Sequence, residues 1–170
     1  MKTSARVDIS GIKGMAKKLD PKSTKKKEII KKALYATGFK LIEHAATQFP
    51  AIPVKDGDLR GAFNVIVDKN PVKVDANKYN SASSGKSNNE TKAKEEKPSS
   101  AGQPEYSVRV WNGMPYALYI HEGMTPEGTD YSPGEISQQA GNVGGGFVSR
   151  KILDKKNQAE YKEILAGAFK

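Results

Sequence analysis

The stretch from residue 77 to residue 104, NKYNSASSGKSNNETKAKEEKPSSAGQP, carries Tyr79 as its one aromatic residue and is otherwise mostly Ser, Asn, Lys and Glu. Such a segment buries too little apolar surface to offset the entropy of ordering its own backbone. Any hydrophobic core must therefore come from the apolar blocks on either side. The polar stretch is expected to be a long loop insertion, mobile alone and held only by a neighbour. At 170 residues the chain has room for one core and not for two.

The block before the insertion opens with a basic arm, residues 1 to 22. Its apolar residues Val7, Ile9, Ile12, Met15 and Leu19 are interrupted by Gly11 and Gly14, and the arm closes on Asp20-Pro21, an order that suits an N-cap and a first helical residue. From Ser23 to Gln48 the spacing is helical. Ile30, Leu34, Leu41 and Ala45 share one face, widened by Ile29, Ala33, Ile42, Ala46 and Phe49. Gly38 weakens such a helix, so it marks either a close packing contact or a bend. Pro50 and Pro53 end it.

Period-two alternation then predicts strands. Phe63, Val65 and Val67 alternate with Asn64, Ile66 and Asp68, and Asp68-Lys69-Asn70-Pro71 reads as a turn into a second strand through Val72 and Val74. After the insertion, Tyr106, Val108 and Val110 predict a third strand that stops at the turn Trp111-Asn112-Gly113. Residues 115 to 123 have Pro at the start and Gly at the end, which favours a short helix over a hairpin strand. Residues 124 to 146 read as a Gly-, Pro-, Ser- and Gln-rich loop. Phe147 to Phe169 read as one or two helices loosened around Asp154 to Asn157. The fold class expected is α+β: a small antiparallel sheet of three to four strands packed against a long N-terminal helix and a C-terminal helix. It forms one domain over residues 23 to 170 behind the basic arm.

Composition excludes several chemistries. Cysteine is absent, which removes disulfides, thiolate nucleophiles and Cys-ligated zinc. No apolar run approaches the roughly 20 residues of a membrane-spanning helix, and the N-terminus lacks the apolar stretch of a secretory signal. His44, three residues after Leu41, reads as a helix-flank residue. His121 beside Glu122 is the one pair suited to metal binding or proton transfer, but no further ligands stand at a metal-site spacing. The run Gly144 to Gly146 is followed by Phe147-Val148 and not by the Lys-Ser/Thr of a phosphate loop. The expectation is no catalytic site, no metal and no cofactor.

The net charge of +9 is unevenly placed. Residues 1 to 32 hold 11 Lys and Arg against 3 Asp and Glu, and the other 138 hold 17 against 16. A basic end of this kind rests on solvent, on an acidic protein or on DNA phosphates. The lack of interleaved aromatic residues puts the first two ahead of DNA.

Read in order, the blocks carry more. A helix ends at Phe49-Pro50. Val54-Lys55-Asp56-Gly57-Asp58-Leu59-Arg60-Gly61-Ala62-Phe63 follows. After two strands and the insertion come Tyr116-Ala117-Leu118-Tyr119-Ile120-His121-Glu122-Gly123-Met124, and then Phe147-Val148-Ser149-Arg150-Lys151. This succession resembles the tail-completion, or head-tail joining, proteins of tailed bacteriophages over residues 24 to 169, less the insertion. It departs from that pattern where His121 stands before Glu122, and where Gly61-Ala62-Phe63 follows Leu59-Arg60 in place of a hydroxyl residue.

The resemblance implies a structural virion protein of the phage neck, assembled in the host cytoplasm. Its copies, most often six, close into a ring that acts as tail completion, joining or terminator piece. The ring sits between the head connector or stopper and the tail tube, with DNA crossing its lumen. The residues that carry the motif are Gly57, Leu59, Arg60, Tyr116, Ala117, Tyr119, Glu122, Gly123 and Phe147. Physical roles can be assigned beside it. Gly57 suits a positive backbone torsion, and Leu59 can plug the helix–sheet interface. Arg60 can pair with a carboxylate such as Glu122. Tyr116 and Tyr119 suit either an interface or the core. The other function class is a nucleic-acid-binding module that uses the basic N-terminal segment.

Overall fold

The computed structural model of the protein describes residues 5–6, 24–48, 51–52, 57–79, 106–122 and 146–168. Most of the arm, residues 49, 50 and 53 to 56, residues 80 to 104 of the polar insertion with Glu105, the 124 to 145 loop and Gly123 lie outside them. The architecture is α+β. A short strand β1 (Ala5–Arg6) is followed by the long helix α1 (Thr24–Thr47) and a one-turn helix α2 (Asp58–Gly61). The hairpin strands β2 (Phe63–Val67) and β3 (Asn70–Val74) lead into a 3-10 turn at Ala76–Tyr79. Then come β4 (Val108–Asn112), α3 (Ala117–Glu122), α4 (Ser149–Leu153) and α5 (Lys155–Gly167).

The four strands form one antiparallel sheet in the order β1-β4-β2-β3. Two residues of the arm contribute an edge strand, with Ala5 opposite Val110 and Arg6 opposite Arg109. Helix α1 lies across one face of the sheet and carries α5 on its flank. Its expected stripe is buried: Ile30, Leu34, Leu41, Ile42, Ala45 and Ala46 are each 6% exposed or less. They meet Phe63, Val65, Val67, Val74, Val108 and Val110 from the sheet, and Tyr161 and Leu165 from α5. Ile29, expected to widen this face, is 45% exposed, because about 100° per residue places it nearly opposite the arc that Leu34, Leu41, Ile42 and Ala45 bury.

Gly38 is a packing contact. A Cβ there would stand 2.4 Å from Val65 Cγ1 and 3.0 Å from Val108 Cγ2, so the missing side chain lets the helix backbone rest on the two central strands.

Three features differ from the periodicity. The hairpin turn is only Asp68-Lys69, both at positive φ (45° and 73°), the geometry of a tight two-residue connection, so Asn70 and Pro71 already belong to β3. In such a hairpin the pair flanking the turn exchanges the hydrogen bonds. Pro71, one pair further along opposite Ile66, therefore turns its nitrogen away from β2 and costs no ladder bond on this edge strand. The third strand starts two residues later than alternation implies. Tyr106 has φ 54° and donates its N–H to Asp68 Oδ1 (2.9 Å), which ends pairing there, while Trp111 and Asn112 continue the strand opposite Asn64 and Phe63. Finally, β2 is buried on both faces. Asn64 and Ile66, the alternate set, are also buried at 7% and 1% exposed, as suits a central strand covered from both sides.

At the C-terminal end, α4 and α5 are separate helices. Asp154 sits between them in an extended conformation, and its side chain caps α5 by accepting from Asn157 N (2.9 Å).

Candidate functional site

Gly57, at φ 82°, takes the left-handed conformation the sequence reserved for it and starts α2. Its carbonyl accepts from Gly61 N (2.8 Å) and from Asn77 Nδ2 (2.9 Å). This fixes a single helical turn that presents Leu59 and Arg60 inward. Leu59 is buried in the core, and its carbonyl accepts from Asn112 Nδ2 (2.7 Å).

Arg60 is only 3% exposed. Its Nε and Nη2 donate to Ile52 O (2.9 and 2.6 Å), and Nη2 also reaches Ala46 O (3.3 Å). The guanidinium thus sits on carbonyls at and just beyond the C-terminal end of α1, where the helix dipole concentrates negative partial charge. Burial lowers its pKa from the ordinary arginine value, and the carbonyls supply the compensation. Glu122, the carboxylate suggested for Arg60, bonds elsewhere. Glu122 is exposed, with Oε1 on His121 Nδ1 at 2.8 Å.

The second half of the motif is joined to the first through the end of β4. Gly113 N donates to Ala62 O (2.9 Å), and Met114 N donates to Asn112 Oδ1 (3.0 Å). The chain then enters α3, the expected short helix, with Ala117 N on Met114 O and Ile120 N on Tyr116 O, each at 3.1 Å. Tyr116, Ala117 and Ile120 pack half-buried against the core, while Tyr119 is half-exposed and stands outside that set.

His121 closes the joint. Its carbonyl accepts from Gly146 N (3.2 Å), its Nε2 accepts from Ser149 N (3.4 Å), and the Phe147 ring stands edge-on to it at 4.9 Å between centroids. Phe147 is 2% exposed, the deepest of the motif side chains. With Nδ1 toward Glu122 and Nε2 toward a main-chain N–H, His121 fits the neutral Nδ1-protonated tautomer. Ser149 Oγ lies 3.2 Å from Gly146 O, so its hydroxyl is directed at the main chain rather than at the imidazole. The geometry is that of a locked joint between α3 and α4. No group of three or more His, Asp or Glu suited to a metal ion occurs among the described residues. Among them, too, no helix is long and apolar enough to cross a membrane.

A second polar seam, which periodicity did not single out, binds α5 to α1. His44 is 4% exposed and bridges to Tyr161 Oη through Nδ1 (3.0 Å) and to Glu160 Oε2 through Nε2 (3.2 Å). Lys40 approaches both Glu43 (3.2 Å) and Glu160 (3.8 Å). One turn on, Gln48 and Asn157 exchange reciprocal amide hydrogen bonds of 3.1 and 2.9 Å. The helical spacing put His44 on a flank; its 117-residue separation from Tyr161 left the bridge invisible.

Desolvation at His44 outweighs the attraction of Glu160 and holds its pKa below the ordinary 6.5. The unfolded chain therefore binds this proton first. The stabilisation is fully present above about pH 6.5 and is lost as the pH falls toward the depressed folded value. Urea unfolding at pH 7 and pH 5 should show a larger acid loss for the natural protein than for His44→Gln; equal losses would remove His44 from the acid response.

Comparison with protein-family models, with curated proteins and with solved structures yields no match to this chain.

Proposed function

We propose that the chain is a structural subunit of the neck of a tailed bacteriophage, forming a ring between the head connector and the tail tube through which DNA passes. One observation carries this reading. The sequence blocks that resemble the tail-completion family, spread over some ninety residues, converge on a single bonded joint. The Gly57–Ala62 turn is tied to Asn112 and Gly113, these lead into Tyr116–Glu122, and His121 holds Gly146, Phe147 and Ser149. A motif whose parts support one another in three dimensions is better grounded than one whose parts are scattered. The joint leaves α3 half-exposed, with Tyr119 and the Glu122 carboxylate outward, a face suited to a neighbouring subunit. A ring requires heterologous contacts that close by rotation, so one such face must meet a different face of the next copy.

An antibody raised against the chain should label tailed particles at one place, the junction of head and tail. Labelling at the tail tip or on the capsid shell, or a virion preparation free of the chain, would contradict the proposal.

A further inference from the structure

Helix α1 projects beyond the body it packs on. Residues 24 to 29 are all exposed, and burial begins at Ile30. Lys26 and Lys27 stand four and three residues before Ile30, on the stripe that is core for the rest of the helix, yet both are exposed. With Lys25 and Lys32 the projecting end shows ammonium groups around its whole circumference, and Glu28 is the only acid among them. Lys31 Nζ reaches Asp68 Oδ2 (3.5 Å), which anchors this end to the hairpin tip. The next residue of the tip is exposed Lys69. The carboxylates here are outnumbered, and Lys27 and Lys31, four apart, repel along the helix.

We propose that this projecting end, with Lys25, Lys26, Lys27 and Lys32 and with Lys69 beside it, binds the phosphate backbone of double-stranded DNA without reading its sequence. The side chains decide among polyanions. Protein interfaces are depleted in lysine and built around an apolar core, and this surface offers only Ile29. The absence of aromatic residues from the first 32 positions removes stacking on single strands and leaves a duplex backbone untouched by the same argument. No arginine lies between Arg6 and Arg60, so the commonest bidentate contact to guanine is missing. What remains is charge alone, which is sequence-independent and salt-sensitive. The inference does not rest on the neck reading, since a lone chain would carry the same surface.

The test is binding of the full chain to fluorescent 30-base-pair duplexes of two unrelated sequences, titrated between 50 and 200 mM salt. Two variants are compared: K25Q/K26Q/K27Q, and K155Q/K156Q/K162Q, which removes the same charge from exposed positions on α5. Circular dichroism confirms that each remains folded. The natural chain should bind both duplexes equally. The α1 variant should lower the slope of log affinity against log salt by about 2.7, at about 0.9 per lost phosphate contact, and the α5 variant by less than one. No binding by the natural chain, an unchanged slope in the α1 variant, or equal losses in both variants would overturn the proposal. The mass of the free protein in the same samples keeps this result separate from ring formation.

Discussion

Arg60→Met lowers the free energy of unfolding by about 3 kcal/mol and the melting temperature by roughly 10 °C. The substitution keeps most of the apolar stem and removes the planar head. Its consequence is set by what the head was bonded to. Ile52 O receives two of the guanidinium's N–H groups and Ala46 O a third, all beneath a side chain only 3% exposed. Without Arg60 these carbonyls lose charged donors in a site that water does not reach. A hydrogen bond to a charged group contributes about 1.5–3 kcal/mol, and orphaned buried acceptors add their own desolvation cost. Arg60→Lys should recover little, because one ammonium cannot reproduce the fork that spans Ala46 and Ile52. Thermal and urea unfolding of the three proteins check this. A methionine variant within 1 kcal/mol of the natural protein would show that the carbonyls find other donors.

Gly38→Val should be destabilising to a similar degree, by about 3 kcal/mol, at the upper end of the usual penalty for overpacking a core. An added Cβ meets Val65 Cγ1 at 2.4 Å and Val108 Cγ2 at 3.0 Å. Both are β-branched residues on central strands with few rotamers to retreat into. The helix must lift off the sheet or the strands must move, and either opens the contact between α1 and β2 that organises the core. Gly38→Ala is the informative comparison. Alanine recovers about 1 kcal/mol of helix propensity while introducing the same first clash, so its net loss should be clearly smaller than that of valine. Were valine tolerated as well as alanine, the close approach of helix and sheet would not be what Gly38 provides.

Much of this fold is legible in the residues, for identifiable reasons. The α1 stripe from Ile30 to Ala46 was readable because one helix face meets one continuous core, and periodicity reports that condition directly. The left-handed Gly57 and the inward Leu59 were readable because turn chemistry is local. Where a side chain's role depends on a distant partner, the pattern gave out. Arg60 was matched to a carboxylate such as Glu122, whereas the carbonyls of Ala46 and Ile52 at the end of a helix are among its acceptors and Glu122 bonds His121. That Asn64 and Ile66 are buried as well was not legible, because alternation cannot reveal a covering on the second face of a sheet. The two-residue turn at Asp68-Lys69 lacked the Asn-Gly signature. Its positive torsions are supported by contacts from elsewhere, among them Lys31 and the Tyr106 N–H on Asp68.

The candidate motif shows the same division. Sequence order brought Gly57, Leu59, Arg60, Tyr116, Ala117, Tyr119, Glu122, Gly123 and Phe147 together as one signature. The residues that join its halves, Asn112 and His121, drew no attention as joints. Asn112 had the look of a turn residue and His121 that of an acid–base candidate; only their bonds to Leu59 O and to the Ser149 and Gly146 main chain reveal what they hold.

Closure of copies of this chain into a ring is the claim on which the neck assignment stands. Light scattering on the purified 170-residue chain tests it most directly. A ring of six gives a single species of about six times the 18.5 kDa chain mass, unchanged on dilution through the micromolar range. A species at the mass of one chain across that range would contradict it.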